Sequence, residues 1–213
     1  MNMMKRAVLS VVVLGLSLAS CSRIVGAAIP PQTISNPAGL EGKQLVASSP
    51  LVVESVRGTV SYSTAGAPFG DIQIPDLPFG IRPGGLEFRT GFSQIDVTGA
   101  CVKPQAFTVT VRDVKVDASD AVASATFTQN AAAQFTLTRT SEGAGRATYG
   151  VSDTKLSVSA DVATAMKFFS ILTTGGQNTV SVMATISASD NGLAGCTMGF
   201  TLKDVSVTLS KFQ

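Results

Sequence analysis

The chain has 213 residues, of which 45% are hydrophobic and 14% are charged, so it has enough apolar residues for a folded core and too few charges for a disordered chain. This length suits one domain with a short additional segment, because domains usually contain about 100–200 residues. The formal net charge is +2, but without Lys5 and Arg6 near the N-terminus the chain is neutral, with 14 acidic residues and as many basic ones. This balance gives no support to a nucleic-acid surface, which needs clustered Lys and Arg.

The first twenty residues follow the order of an export signal. Lys5 and Arg6 precede an apolar stretch of 13 residues, Ala7–Ala19, which is shorter than the roughly 20 residues of a transmembrane helix. The stretch runs into Leu18-Ala19-Ser20-Cys21, and here the sequence resembles the lipobox of bacterial lipoproteins. The resemblance implies that residues 1–20 are a signal peptide, that cleavage occurs before Cys21, and that lipid becomes attached to the Cys21 thiol.

The lipobox resemblance also implies a location and partners. Covalent lipid on Cys21 holds the mature protein on a membrane, because two or more acyl chains give stable anchoring. Ser22 rather than Asp follows the cysteine, and in bacteria with two membranes this favours the outer membrane. The expected partners are therefore the membrane, through the lipid anchor, and another cell-envelope protein, but not nucleic acid.

Behind the leader, the chain divides into a tether and a β-rich domain. Residues 21–50 contain many Pro, Gly and Ser residues and little periodicity, which predicts a lipidated N-terminus with a flexible tether. Residues 51–213 alternate between apolar and polar residues with a period of two, which predicts a single domain of seven or eight half-buried strands, an antiparallel β-sandwich or barrel-like domain. Besides a strand that contains Val56, Val60 and Tyr62, the predicted strands are Phe92–Val97, Phe107–Val116, Ala121–Phe127, Phe135–Thr140, Leu156–Ala160, Val180–Ile186 and Phe200–Leu209.

One segment has a helical period. A short helix is predicted between Asp161 and Thr174, where apolar residues recur at helical spacing: Val162, Ala165, Met166, Phe169 and Leu172. Asp161 can cap the start of this helix, and Gly175-Gly176 can end it. We expect the helix to cover the sheet, with its Met and Phe side chains in the core.

A short motif occurs twice, at Val109–Val116 and at Phe200–Val207. In both copies the apolar side chains change parity at an aspartate, Asp113 or Asp204. A β-bulge produces such a change, because one extra residue sends the following side chains to the opposite face. We therefore interpret the two aspartates as bulge residues rather than as a catalytic pair, and a duplicated half-domain is one explanation of the repeat.

Two cysteines remain once Cys21 carries lipid, namely Cys101 and Cys196. In an oxidising envelope such a pair forms a disulfide, and its separation differs from the Cys-x-x-Cys spacing of redox-active pairs. We expect a structural bond that closes a loop of about 95 residues and contributes roughly 4–5 kcal/mol to stability.

Histidine is absent from the sequence, which excludes the common Ser-His-Asp and Cys-His catalytic sites and His-ligated metal sites. Carboxylates could still serve a hydrolase, since glycoside hydrolysis needs only two suitably separated acids. Asp71, Asp76 and Glu87 lie in one irregular stretch, but such residues more often belong to loops or to the solvated surface. We therefore predict no enzymatic activity, no metal site and no cofactor apart from the lipid on Cys21.

Residues 64–90 combine many Pro and Gly residues with bulky apolar side chains. This composition opposes a regular central strand, and exposing the apolar side chains to water is costly. They pack either over the sheet of the domain itself or against another envelope protein. For the second alternative we expect an accessible patch of candidate partner contacts at Phe69, Ile72, Leu77 and Phe79.

The sequence therefore predicts a lipid-anchored, non-enzymatic protein of the cell envelope that acts as a structural or protein-interaction subunit. Two alternatives remain. The first is a binding module for an apolar ligand, which requires a large dry cavity between the sheet layers. The second is a His-free, carboxylate-dependent hydrolase, which requires converging acids with raised pKa values.

Overall fold

The structure is a computed structural model that describes residues 28–47, 50–52, 56–74, 77, 80–129, 133–152 and 155–213. The predicted signal peptide, and Cys21 with it, lie outside these residues. The strands and the helix follow one another as β1 (Gln32–Ser35), β2 (Gln44–Ala47), β3 (Arg57–Ser63), β4 (Pro83–Thr98), β5 (Ala106–Ser119), β6 (Ser124–Gln129), β7 (Ala133–Gly143), β8 (Arg146–Val151), β9 (Leu156–Ala160), α1 (Val162–Thr174), β10 (Thr179–Ala188) and β11 (Thr197–Phe212).

Eight of these strands pair into a closed ring. Each strand pairs with the next in the order β11, β2, β3, β10, β5, β7, β8 and β4, and β4 pairs back with β11. All of these pairings are antiparallel. The prediction of a mainly antiparallel β-sandwich or barrel-like domain with one short helix is therefore confirmed.

Beyond the ring, the long strands β4, β5, β10 and β11 continue as two facing sheets. On one sheet β1 pairs with β11 and β9 pairs with β4, and on the other β6 pairs with β5. Helix α1 packs against β4, β5 and β6, so it fills the space between the sheets. Asp161 accepts a hydrogen bond from the Thr164 amide at 2.8 Å and caps the helix as predicted.

The strands form two runs with the same pairing pattern. The first run is β1 to β5, and the second is β6, β7, β8, β10 and β11. Each pairing of the first run has a counterpart in the second. The pair β2–β3 corresponds to β7–β8, and β3–β10 corresponds to β8–β4. The pair β2–β11 corresponds to β7–β5, and β1–β11 corresponds to β6–β5. Each run carries one copy of the repeated motif, in β5 and in β11, so the topology supports a duplicated half-domain.

The predicted β-bulges are present in both copies of the motif. Asp113 has a φ angle of 49° and Asp204 a φ angle of 52°, both in the left-handed region. The register shifts at the same places, between Met183 and Thr185 in the β10–β5 pair and between Lys203 and Ser206 in the β11–β4 pair. Aspartate is one of the few residues with a side chain that tolerates this backbone conformation.

Three predicted boundaries need correction. The predicted flexible tether, 21–50, includes β1 and β2, because both add to the open edge of β11 and bury Leu45 and Ala47. The irregular stretch predicted for 64–90 ends at Pro83, where β4 begins. The strand predicted to start at Ala121 starts at Ser124, because Asp120 accepts hydrogen bonds from the amides of residues 122 and 123 and makes a turn there.

Aromatic side chains fill the interior of the ring. Phe92 on β4 contacts Phe135 on β7 and Phe200 on β11, with ring centroids 5.5 and 5.3 Å apart. Phe107 contacts Tyr149 across β5 and β8 at 4.9 Å. These edge-to-face contacts join strands from both halves of the chain, so the interior of the ring is a packed core.

Candidate functional site

A cleft with a volume of about 560 Å³ lies on the outer face of β4, β9 and β11. Five charged side chains line it: Glu87 and Arg89 on β4, Lys155 before β9, and Lys203 and Asp204 on β11. Three of the five are cations. Clefts of this size are large enough for a small ligand or for part of a larger one.

The strand register explains why the three cations share the outer face. Lys203 on β11 lies directly opposite Gly91 on β4, and Arg89 lies two residues before Gly91 on the same face. Ser157 on β9 lies opposite Arg89 from the other side, and Lys155 is two residues before Ser157. The three cations therefore surround a position where β4 has a glycine and no side chain.

Both carboxylate oxygens of Glu87 accept hydrogen bonds within the cleft. Arg89 donates from Nη2 to Glu87 Oε2 at 2.8 Å, and Ser157 donates from Oγ to Glu87 Oε1. The hydrogen bond from Arg89, followed by the one from Ser157, lowers the pKa of Glu87 despite partial burial. A carboxylate held in its charged form positions Arg89, and it is unsuited to donate a proton as a general acid at neutral pH.

Lys203 and Asp204 occupy the β-bulge at the other wall of the cleft. Lys203 Nζ lies 3.8 Å from Asp204 Oδ2, and the two side chains are 56% and 76% exposed. An ion pair this long and this exposed is weak, because water and salt screen it. Lys203 is therefore available to other anions.

A gap in the strand pairing creates the cleft. On that edge of β4 the pairing with β8 ends at Ile95, and the pairing with β9 begins at Thr90. In the other half of the molecule the corresponding strands, β3 and β10, pair continuously from Arg57 to Ser63. The cleft is thus a departure from the repeated pattern, and the pairing of the other half shows that the fold can form without such a gap.

A second polar cluster surrounds Asp96 on the outside of the ring. Arg146 donates to its carboxylate from Nη2 at 2.8 Å and from Nε at 3.2 Å, and Gln44, Gln94 and Thr148 donate as well. Burial raises the pKa of Asp96, but the hydrogen bonds from Arg146, Gln94 and Thr148 outweigh burial and leave the pKa below its usual value. Every partner belongs to the sheet, so this cluster is structural.

The predicted disulfide is confirmed. Cys101 and Cys196 are bonded, with their Cα atoms 5.5 Å apart and 95 residues apart in sequence. The bond links the connection between β4 and β5 with the connection between β10 and β11, at corresponding places in the two runs of strands. Gly99 fits against it, since a Cβ there would lie 3.1 Å from the Cys196 sulfur.

The candidate partner contacts do not form an exposed patch at the described positions. Phe69, Ile72 and Leu77 are half-buried and pack against the core, while Phe79 lies outside the described residues. Phe69 exchanges two backbone hydrogen bonds with Asn178, and the Ile72 amide donates to the Leu172 carbonyl at 2.7 Å. These contacts attach the segment to α1 and β10, which indicates a structural role for it.

The acids considered for a hydrolase do not converge in the described residues. Asp71 accepts hydrogen bonds from the Gly176 amide and from Asn178, beyond the end of α1, whereas Glu87 lies in the outer cleft. Asp76 lies outside the described residues. Within the same residues no group of three or more His, Cys, Asp or Glu side chains is arranged to hold a metal ion.

Within the part of the chain that the structure describes, two apolar cavities lie under α1. Their volumes are about 30 and 20 Å³, and both are lined by side chains that include Ile72, Leu86 and Leu172. A space of this size holds about one water molecule. Filled packing of this kind does not favour the apolar-ligand alternative.

Sequence reasoning named Glu87 but missed Arg89, Lys155 and Lys203. Isolated exposed cations carry no local signal, and only the strand register brings these three together. One clue was present, because Lys203-Asp204 in the second copy of the motif corresponds to Arg112-Asp113 in the first.

The described residues define an antiparallel β domain with a closed ring of strands, a disulfide between its halves and a charged cleft on its outer face. Among them, no helix combines the length and the hydropathy needed to cross a membrane.

Comparisons with known proteins add no family. Neither a protein-family model nor a curated protein matches the chain. Among solved structures, the chain is similar to one from a T13 IBDV viral particle, with 12% identity and a TM-score of 0.28 over 85% of this chain and 31% of that one. A structure of the infectious bursal disease virus Gx strain gives 12% identity and a TM-score of 0.25 over 86% and 42%. The chain thus spans less than half of either structure.

Proposed function

We propose that the protein is a lipid-anchored component of the bacterial cell envelope, a non-enzymatic subunit with a structural or protein-interaction role. The observation that carries this proposal is the leader, in which Leu18-Ala19-Ser20-Cys21 follows a basic start and an apolar stretch. Ser22 after the cysteine favours the outer membrane in a bacterium that has one.

The disulfide supports export. A stable bond between Cys101 and Cys196 is typical of proteins that fold in an oxidising compartment, and such bonds are rare in the cytosol of most bacteria. The third cysteine, Cys21, is then the one left for lipid. Each cysteine in the sequence thereby has a role in the same compartment.

The position of β1 supports close attachment to a membrane. Only ten residues separate Cys21 from Gln32, where β1 begins, and eleven extended peptide units span at most about 40 Å. Gln32 lies opposite Leu209, at the end of the sheet that also contains the start of β4. With lipid on Cys21, this end of the sheet lies within about 40 Å of the lipid.

A non-enzymatic role is supported by the chemistry of the available groups. The sequence has no histidine, and the pKa of Glu87 is lowered rather than raised. The half-buried segment that contains Phe69 and Ile72 packs against the core of the domain.

The anchor is tested by the substitution Cys21→Ser in the full chain, expressed in a bacterium with two membranes. We expect the parent protein to partition into the detergent phase and to carry the added mass of lipid. The variant lacks the thiol for the thioether, so we expect an uncleaved precursor or an aqueous protein without lipid. The matched control is the double variant Cys101→Ser, Cys196→Ser, which should keep its lipid. An unchanged mass and unchanged partitioning for Cys21→Ser contradicts the proposal.

A further inference from the structure

We propose that the outer cleft binds an anionic group, a phosphate or a carboxylate, through Arg89, Lys155 and Lys203. The compartment in which the protein would meet such a ligand, the cell envelope, rests on the proposed function. Binding itself depends only on the cleft, so the two proposals can fail separately.

The arrangement of the cations leaves space for an anion. Lys203 and Gly91 face each other in the register, and Arg89 and Lys155 lie on the same face beside them. Diagonal neighbours on a sheet are about 7–8 Å apart at Cα, so the ends of long side chains can meet over the position between them. Because Gly91 has no side chain, nothing from β4 itself fills this central position.

The two acids of the cleft do not cancel this charge. Both carboxylate oxygens of Glu87 accept hydrogen bonds, from Arg89 and from Ser157, and this holds Glu87 against the strand. The guanidinium of Arg89 has five N–H donors, and its bond to Glu87 uses Nη2. Asp204 is 76% exposed, and its 3.8 Å pairing with Lys203 is weak enough for a bound anion to replace it.

One hydroxyl group adds a donor on this face. Ser206 lies directly opposite Arg89 on β11 and lines the cleft. Phosphate and carboxylate oxygens accept hydrogen bonds from hydroxyls as well as from cations. Ser157, opposite Arg89 on β9, donates its one O–H to Glu87, so it helps to hold Glu87 in place rather than to bind the anion.

The repeated topology supplies a matched control within the same chain. Arg112 precedes the bulge at Asp113, just as Lys203 precedes the bulge at Asp204. There, β3 pairs with β10 without a gap. Arg112 therefore has the same bulge and the same charge as Lys203, but it does not line the cleft.

Titration calorimetry on the full chain, in an uncharged detergent and at low salt, tests the proposal. The probes are inorganic pyrophosphate and triglutamate, and trialanine is the probe without carboxylate side chains. We expect saturable binding of at least one of the first two, which also identifies the preferred anion, and much weaker binding of trialanine. Lys203→Gln and Lys155→Gln should each raise the Kd about ten-fold, the effect of losing one charge-assisted hydrogen bond. Arg112→Gln should change the Kd by less than about two-fold, because an exposed charge outside the site contributes little.

Several outcomes would overturn the proposal. One is that neither pyrophosphate nor triglutamate shows saturable binding at millimolar concentrations. Another is that the Kd is unchanged in both lysine variants. A third is that Arg112→Gln raises the Kd as much as the lysine variants do. Both lysines are exposed, so their replacement should leave the melting temperature unchanged, and this is measured on the same samples.

Discussion

At the residue scale, one hydrogen bond on the outer face of the sheet requires a glycine in the strand between its two partners. Gln44 on β2 reaches Asp96 on β4 across the intervening strand β11, with Nε2 and Oδ2 3.0 Å apart. The residue of β11 between them is Gly199, and a Cβ there would lie 2.6 Å from the side-chain carbon of Gln44. Gly199 therefore gives Gln44 the room to hydrogen-bond with Asp96.

The contribution of Asp96 to stability depends on pH. Its pKa in the folded state lies below the unfolded value of about 3.9, so its stabilising effect is complete above that pH and is lost as the pH falls through the folded value. We expect Asp96→Asn to lower the free energy of unfolding at pH 7 by about 1–3 kcal/mol. Below about pH 4 the difference between variant and parent should shrink.

Urea denaturation at pH 7 and at pH 3 measures this difference. The control variant is Asp204→Asn, which removes an exposed carboxylate and keeps a residue that tolerates the left-handed bulge. It should leave the stability nearly unchanged at both pH values. An equal loss for Asp96→Asn at both pH values would show that the charge of Asp96 is not the cause.

At the scale of elements, helix α1 was predicted with the correct start and end, but its buried face is rotated from the prediction. Ala165, Phe168, Ile171 and Leu172 are buried, whereas Val162 is 45% exposed. The predicted stripe included Met166 and Phe169 and left out Phe168 and Ile171, both of which are buried. The helix packs against β4, β5 and β6, and the position of these strands decides that Phe168 rather than the neighbouring Phe169 enters the core.

We predict that Phe168→Ala lowers the free energy of unfolding by about 3–5 kcal/mol, because Phe168 is buried and its removal leaves a cavity in the core. The Phe168 ring packs edge-to-face on Phe127 of β6, with centroids 5.0 Å apart. Phe169→Ala is the matched control and should cost less, since Phe169 is only half-buried. Both values come from urea denaturation at neutral pH, and equal losses would contradict this assignment of the buried face.

At the scale of the whole molecule, the two runs of strands are interlocked. β4 from the first run pairs along β11 from the second, and β10 pairs along β5. The Cys101–Cys196 bond ties the same two runs at the end of the ring. Residues 64–82 connect β3 to β4, and residues 152–178 make the corresponding connection from β8 to β10. The two connections differ in length and sequence, and the cleft lies next to the second of them.

We predict that the double variant Cys101→Ser, Cys196→Ser loses about 4–5 kcal/mol of stability, the chain-entropy value for a loop of this length. Its melting temperature should fall while its far-ultraviolet circular dichroism keeps the signature of a β protein, because the paired strands and the core remain. A reducing agent should lower the melting temperature of the parent and leave that of the variant unchanged. Equal melting temperatures for parent and variant would contradict a stabilising role for the bond.

The sequence by itself determined the features that depend on neighbouring residues. Strand alternation, the Asp161 cap and the parity change at Asp113 and Asp204 are local, and the structure contains each of them. The disulfide followed from the count of cysteines. The lipobox at Cys21 is equally local, and it remains a prediction.

Only the tertiary structure decided how distant segments combine. Closure of the ring, the addition of β1 and β2 to β11, and the strand made by Pro83–Thr90 all depend on partners far away in sequence. Gly84 and Gly85 reduce strand propensity locally, yet they allow β4 to approach β11, since a Cβ at either would lie 2.7 Å from an atom of that strand. The cleft belongs to this second group, because Arg89, Lys155 and Lys203 become neighbours only through the strand register, and a pattern within one segment carries no information about pairing between segments.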